Sequence, residues 1–209
     1  MKKGVVVDLD GTLVSSNTFH KYIIFSFREA VKSNHFFSVF NLIIFVICRK
    51  FRIIKHDTMK FHVLNSTNSY MNEDKIKSFV STLFEKINKT VLNILNEYKK
   101  NDYLVCLSTA APEIYVNELF KELPQFFDFM CSTPSPSKEI LWRENVRQVK
   151  CNNTILLLNS KNIELKILIT DHFDDMPLLS IKKDLNILVN PSKQTIKKLN
   201  EQNIKYLIL

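Results

Sequence analysis

The chain opens on a short apolar run, Gly4–Val7, that ends in two acids, Asp8 and Asp10. A buried parallel strand stops in this way at the carboxyl edge of its sheet. From Asn17 to about Lys100 the pattern changes. Turn signals are few, no proline occurs before Pro112, and apolar residues return at helical spacing. The spacing predicts helices over Thr18–Lys32, Phe36–Lys50, Asp57–Tyr70, Asp74–Ile87 and Thr90–Lys99, with Asn72 before Glu73 and Asp74 as a helix start.

After Asp102 strand and helix alternate. Tyr103–Ser108, Phe127–Ser132, Ile140–Trp142, Leu165–Thr170, Leu185–Val189 and Lys205–Ile208 read as strands. A helix opens at Pro112 and Glu113, as proline in a first turn favours, and further helices fall on Thr154–Ser160 and Ser192–Asn200. One strand, a long helical insertion and then repeated αβ units predict an α/β fold with a parallel sheet. The division expected is a core of residues 1–14 and 101–209 and a helical cap of residues 15–100.

One helix stands apart. Phe36–Cys48 reads FFSVFNLIIFVIC, thirteen residues between Lys32 and the group Arg49, Lys50 and Arg52. At ~1.5 Å per residue it reaches roughly 20 Å, short of the ~30 Å hydrocarbon core, so it does not span a bilayer. It is expected to be buried within the cap. The alternative is a helix lying in a membrane interface, which aromatics beside basic residues favour.

Composition narrows the picture further. At 209 residues, 45% of them apolar, the chain has enough to bury a core, and disorder is excluded. The net charge of +8 is concentrated between Ser15 and Lys60, where eight basic residues face only Glu29 and Asp57, so this segment is placed to meet something anionic. Its aromatics recur at helical spacing and form no stacking platform, which disfavours nucleic acid as a partner. Cys48, Cys106, Cys131 and Cys151 are scattered with no CxxC pair, and the run after Lys2 and Lys3 is cut by Asp8. Both point to a reducing, cytoplasmic setting.

The stretch Asp8-Leu9-Asp10-Gly11-Thr12 at the end of an N-terminal strand resembles the first signature of the haloacid dehalogenase superfamily. Ser108-Thr109 closes a second apolar strand, as the second signature does. Lys150 lies before a helix in the third position, and Thr170-Asp171-His172-Phe173-Asp174-Asp175-Met176-Pro177 resembles the fourth. The resemblance implies a Rossmann-like three-layer core and a magnesium-dependent phosphatase acting on a small phosphorylated molecule. An insertion directly after the first signature resembles the phosphoserine-phosphatase-like branch.

The same resemblance implies roles. Asp8 would be the nucleophile, because a covalent aspartyl-phosphate divides one difficult step into two. Asp10 would act as acid and then base, on the same face as Asp8 if strand alternation continues. Mg2+ would be held by Asp8, the Asp10 carbonyl, Asp171 and Asp175, an all-oxygen set of the kind this ion takes. Thr109, with Ser108 as its rival, and Lys150, with Lys138 and Arg147 as rivals, would hold the phosphoryl oxygens. Gly11 and Thr12 would turn the chain beneath the phosphate, and His20 would reach the substrate from the first cap helix. Asp174 competes with Asp175. Thr170 and His172 depart from the family's small residues and are expected to crowd the metal.

Overall fold

A computed structural model describes residues 1–137 and 142–209. In chain order it contains β1 (Lys2–Val7), α1 (Thr18–Lys32), α2 (Phe36–Lys50), α3 (His56–Thr67), α4 (Glu73–Phe84), α5 (Lys89–Lys100), β2 (Leu104–Pro112), α6 (Glu113–Glu122) and β3 (Phe129–Thr133). There follow α7 (Arg147–Ser160), β4 (Ile163–Thr170), a 3-10 turn (Phe173–Asp175), α8 (Met176–Leu179), β5 (Leu185–Leu188), α9 (Lys193–Glu201) and β6 (Leu207–Ile208). Of the strand expected over Ile140–Trp142 only Trp142 lies within the described residues, and the rival lysine Lys138 lies outside them.

The six strands form one sheet in the order β3-β2-β1-β4-β5-β6, every neighbour parallel. Strand alternation divides the apolar residues between two faces. Val5, Val7, Val105, Leu107, Ile167 and Ile169 pack into one cluster with residues of α1 and α3 to α6. Val6, Cys106, Leu168 and Leu188 pack into a second with Cys151, Leu158, Leu178 and Leu199 from α7 to α9. The core is therefore an α/β sandwich of three layers. Because the strand order runs outward in both directions from β1 and β4, their carboxyl ends flank the crevice where such sheets bind ligands.

Only two glycines serve the whole chain, so other residues end the helices. Asn34, Arg52, Asp102, Asn162 and Asn203 each take a positive φ just past a helix. The next amide in four of these cases turns back on the last turn, for example His35 N–H to the Ala30 carbonyl at 2.9 Å and Ile53 N–H to the Cys48 carbonyl at 2.9 Å. Asn and Asp tolerate this conformation best after glycine.

Three expectations are corrected. First, α7 begins at Arg147, a full turn and more ahead of Thr154. Its N-cap is Val146, whose side chain offers no cap hydrogen bond, so the sequence carried no start signal. Lys150 thus sits within the helix. Second, β1 stops at Val7, and a loop closed by Val14 N–H to the Leu9 carbonyl (2.8 Å) carries Asp10, so strand alternation does not place it. Third, α2 is not a buried cap helix. Only Ser38 and Leu42 are buried, while Phe36, Phe37 and Phe40 are 69%, 78% and 60% exposed. Among the described residues no helix is long and apolar enough to cross a membrane.

Candidate active site

A cleft of about 410 Å³ opens at the carboxyl ends of β1, β2 and β4. Asp8 and Asp10 follow β1, Thr109 and Ala110 come from the end of β2, Lys150 from α7, and Asp171 and Asp175 follow β4. The sheet order alone brings together residues more than 160 positions apart in the sequence.

Lys150 is the hub. It is 3% exposed, and its ammonium donates to Asp8 Oδ1 at 2.6 Å and to Asp175 Oδ2 at 2.8 Å. Burial works against its charge, but Asp175 and Asp8 outweigh that and raise its pKa. Thr154 Oγ1 donates to the Lys150 carbonyl (2.6 Å), which ties the lysine's turn to β2 through the Ser108 hydroxyl. Of the lysine's rivals, Arg147 points outward and pairs with Asp174 at the cleft rim, 3.0 Å apart.

The acids are held individually. The Thr18 amide, at the start of α1, donates to Asp10 Oδ1 at 2.8 Å, so a helix N-terminus faces this carboxylate. Asp171 accepts a long bond from the buried Thr12 hydroxyl at 3.4 Å. Asp175 accepts from the Thr170 hydroxyl at 2.7 Å. Thr170 is buried and points its hydroxyl at this acid, which fixes the carboxylate's rotamer. His172 lines the cleft, half-exposed, its Nδ1 accepting from the Asp174 amide at 3.1 Å.

Gly11 is required by both conformation and space. Its φ is +75°, and a Cβ on it would collide with the Asp171 carboxylate. Gly11→Ala is expected to push Asp171 out of the cleft, costing at least about tenfold in activity together with roughly 1 kcal/mol or more of stability. Steady-state kinetics alongside urea unfolding checks both.

Ser108 and Thr109 part company. The Ser108 hydroxyl points away from the cleft to Thr154 Oγ1 at 2.6 Å, fully buried. Thr109 lines the cleft, its hydroxyl accepting from the Ala111 amide at 3.0 Å. His20 is not brought to the cleft: it is exposed on α1, and its amide caps onto Asn17 Oδ1.

Two positioning residues escaped sequence reasoning. Asn145 is fully buried and donates to the Thr109 carbonyl at 2.9 Å and to the Cys131 carbonyl at 3.3 Å, holding the β2 loop in place. No pattern marked it. Lys60 is buried on α3, where it pairs with Glu144 and donates to the Ala110 carbonyl at 3.0 Å. A signal did exist there, since Lys60, Val63, Leu64 and Thr67 share one helix stripe, and a charge in a core stripe needs a partner. Lys60, Arg49 and Lys55 also line a second cavity of about 590 Å³ that shares Asp10, Ala110 and Val146 with the cleft.

Asp8, Asp10, Asp171 and Asp175 share the cleft with the Lys150 ammonium, which pairs with only two of them and leaves the cleft short of positive charge. Burial pushes Asp8 up to about 8, with repulsion from Asp175 and Asp171 adding to it against Lys150. Burial likewise lifts Asp171 to about 6 and raises Asp10. A divalent cation would relieve this imbalance. Among the described residues no three acidic, histidine or cysteine side chains form a ready-made metal cage. The hard, all-oxygen donor set fits magnesium.

No family model and no curated protein matches the chain. Solved structures do. A protein of unknown function from Bordetella pertussis superposes with a TM-score of 0.77 at 11% identity, covering 100% of this chain and 98% of its own. A HAD family hydrolase from Salmonella enterica serovar Typhi gives 0.60 at 12% identity, covering 94% and 66%. A phospho-aspartyl intermediate analogue of phosphoserine phosphatase gives 0.58 at 17%, covering 98% and 100%. The chain therefore has the haloacid dehalogenase-type fold that phosphoserine phosphatases share.

Proposed function

We propose that the chain is a magnesium-dependent phosphatase that hydrolyses a phosphate monoester through an aspartyl-phosphate on Asp8. The observation that carries this reading is the pair Asp8 and Asp10 at the switch point of the sheet, with Lys150 Nζ 2.6 Å from Asp8 Oδ1. A phosphoserine phosphatase of the same fold has been captured as an analogue of this intermediate, which supports it.

In the first step an Asp8 oxygen attacks phosphorus in line with the ester oxygen, the P–O bond to the leaving group breaks, and Asp10 gives that oxygen its proton. Asp10 is suited to this because burial raises its pKa and one of its oxygens is anchored by Thr18. In the second step Asp10 takes a proton from water, whose oxygen attacks the phosphorus and returns Asp8 as a carboxylate. Lys150 and the Thr109 hydroxyl hold the phosphoryl oxygens as charge accumulates on them. Asp8, Asp171, Asp175 and the Asp10 carbonyl would hold magnesium, which when bound offsets the repulsion between an anionic nucleophile and an anionic substrate.

Residues 15–100 act in this proposal as a cap over the core of residues 1–14 and 101–209. Asn17 ahead of α1 lines the cleft, and Phe19, Arg49 and Lys60 line the adjoining cavity, where the leaving group would enter. Phosphate release from a panel of phosphorylated metabolites tests the reading. Release should cease in excess chelator, return with magnesium and be inhibited by calcium, whose larger and looser shell spoils in-line geometry. Full activity in chelator would reject the metal.

A further inference from the structure

We propose that α2 is a docking face for an anionic lipid bilayer. The helix packs on α1 and α3 through the side holding Ser38 and Leu42. Outward it presents Phe36, Phe37, Phe40, Ile43, Ile44 and Ile47, all exposed and recurring at three- and four-residue steps. Such steps form one continuous stripe along a helix. The stripe runs on past the helix end into Phe51 and Ile53, 70% and 71% exposed. A contiguous apolar surface of this extent on a single chain marks a binding face.

Charge selects the occupant. From Phe36 to Lys55 there is no acidic residue, and Arg49, Lys50, Arg52 and Lys55 cluster at the carboxyl end. Apart from the stripe, this is the composition of a helix that lies in the headgroup region, its aromatics in the acyl boundary and its bases on lipid phosphates. A second copy of the chain would offer these bases no acid from the same segment. The fifteen residues of α2 reach about 22 Å, too short to cross, so the helix lies on the surface rather than through it. Arg49 and Lys55 also line the second cavity, so the docked face adjoins the substrate's entrance.

The test is co-sedimentation of the full chain with phosphatidylcholine vesicles and with vesicles that also contain phosphatidylglycerol, at low and high salt. The chain should bind the anionic vesicles, less so as salt rises. Phe37→Ser with Phe40→Ser should weaken binding roughly tenfold or more. Lys50→Glu with Arg52→Glu should weaken it at least about twentyfold and flatten the salt dependence. Because these side chains are exposed, circular dichroism and hydrolysis of p-nitrophenyl phosphate without vesicles should stay as in the unaltered chain, which separates docking from the phosphatase chemistry. A chain that stays in the supernatant with both vesicles would overturn the proposal. So would binding that neither variant weakens, or a dimer broken by the phenylalanine variant and indifferent to vesicles.

Discussion

Asp8→Asn is expected to abolish phosphate release, by at least about 10⁴-fold, while the thermal midpoint is kept or raised. The amide keeps the size of the carboxyl but is no nucleophile, and loss of a covalent nucleophile usually removes most of the rate. Stability follows from the environment. Asp8 is 8% exposed, and burial opposes its charge so strongly that its pKa rises to about 8. Asparagine puts a neutral group where burial disfavours the charge, and Lys150 keeps Asp175 as its partner at 2.8 Å. Differential scanning calorimetry and a phosphate-release assay on the same preparation check the two halves. Retained turnover would mean that another group attacks.

Lys150→Met is expected to cost both activity and fold. Methionine fills the same space but leaves Asp8 and Asp175 facing each other without the one ammonium between them. Removing one partner of a buried ion pair typically costs about 3–5 kcal/mol, because the other charge is stranded. The loss should be visible as a lower urea midpoint at unchanged slope, and should shrink as pH falls and Asp8, whose pKa burial raises, takes up its proton. Added magnesium should restore part of the stability without restoring activity, since the lysine's hold on the phosphoryl oxygens is gone. An unchanged midpoint at neutral pH would show that Lys150 is not the counter-charge of the cleft.

The sheet and its active edge were legible because buried parallel strands read as short apolar runs and end where acids begin. Asp8, Asp171 and Lys150 were picked out by the resemblance of their stretches to the family's signatures, and all three line the cleft. The fate of an apolar helix is different. The periodicity of Phe36–Cys48 reveals an apolar stripe, but whether another element covers it depends on tertiary neighbours that no local pattern encodes. Asp10 was placed in the cleft for the wrong reason: a loop around Gly11, not a continuing strand, turns it there. Asn145 was invisible because its work is done entirely through backbone carbonyls distant in sequence. The choice between Ser108 and Thr109 turned on one residue of strand register, which flips a side chain from the cleft to Thr154.

The measurement that bears most directly on the account is chemical trapping of the phosphorylated residue. The protein would be quenched in acid during turnover of a phosphate monoester with magnesium, reduced with borohydride, and mapped by peptide mass spectrometry. Borohydride converts an aspartyl-phosphate to homoserine and leaves free aspartate alone. Homoserine is expected at position 8, dependent on substrate and absent from Asp8→Asn. Brisk phosphate release with Asp8 unmodified, or with the phosphoryl group on another residue, would contradict it.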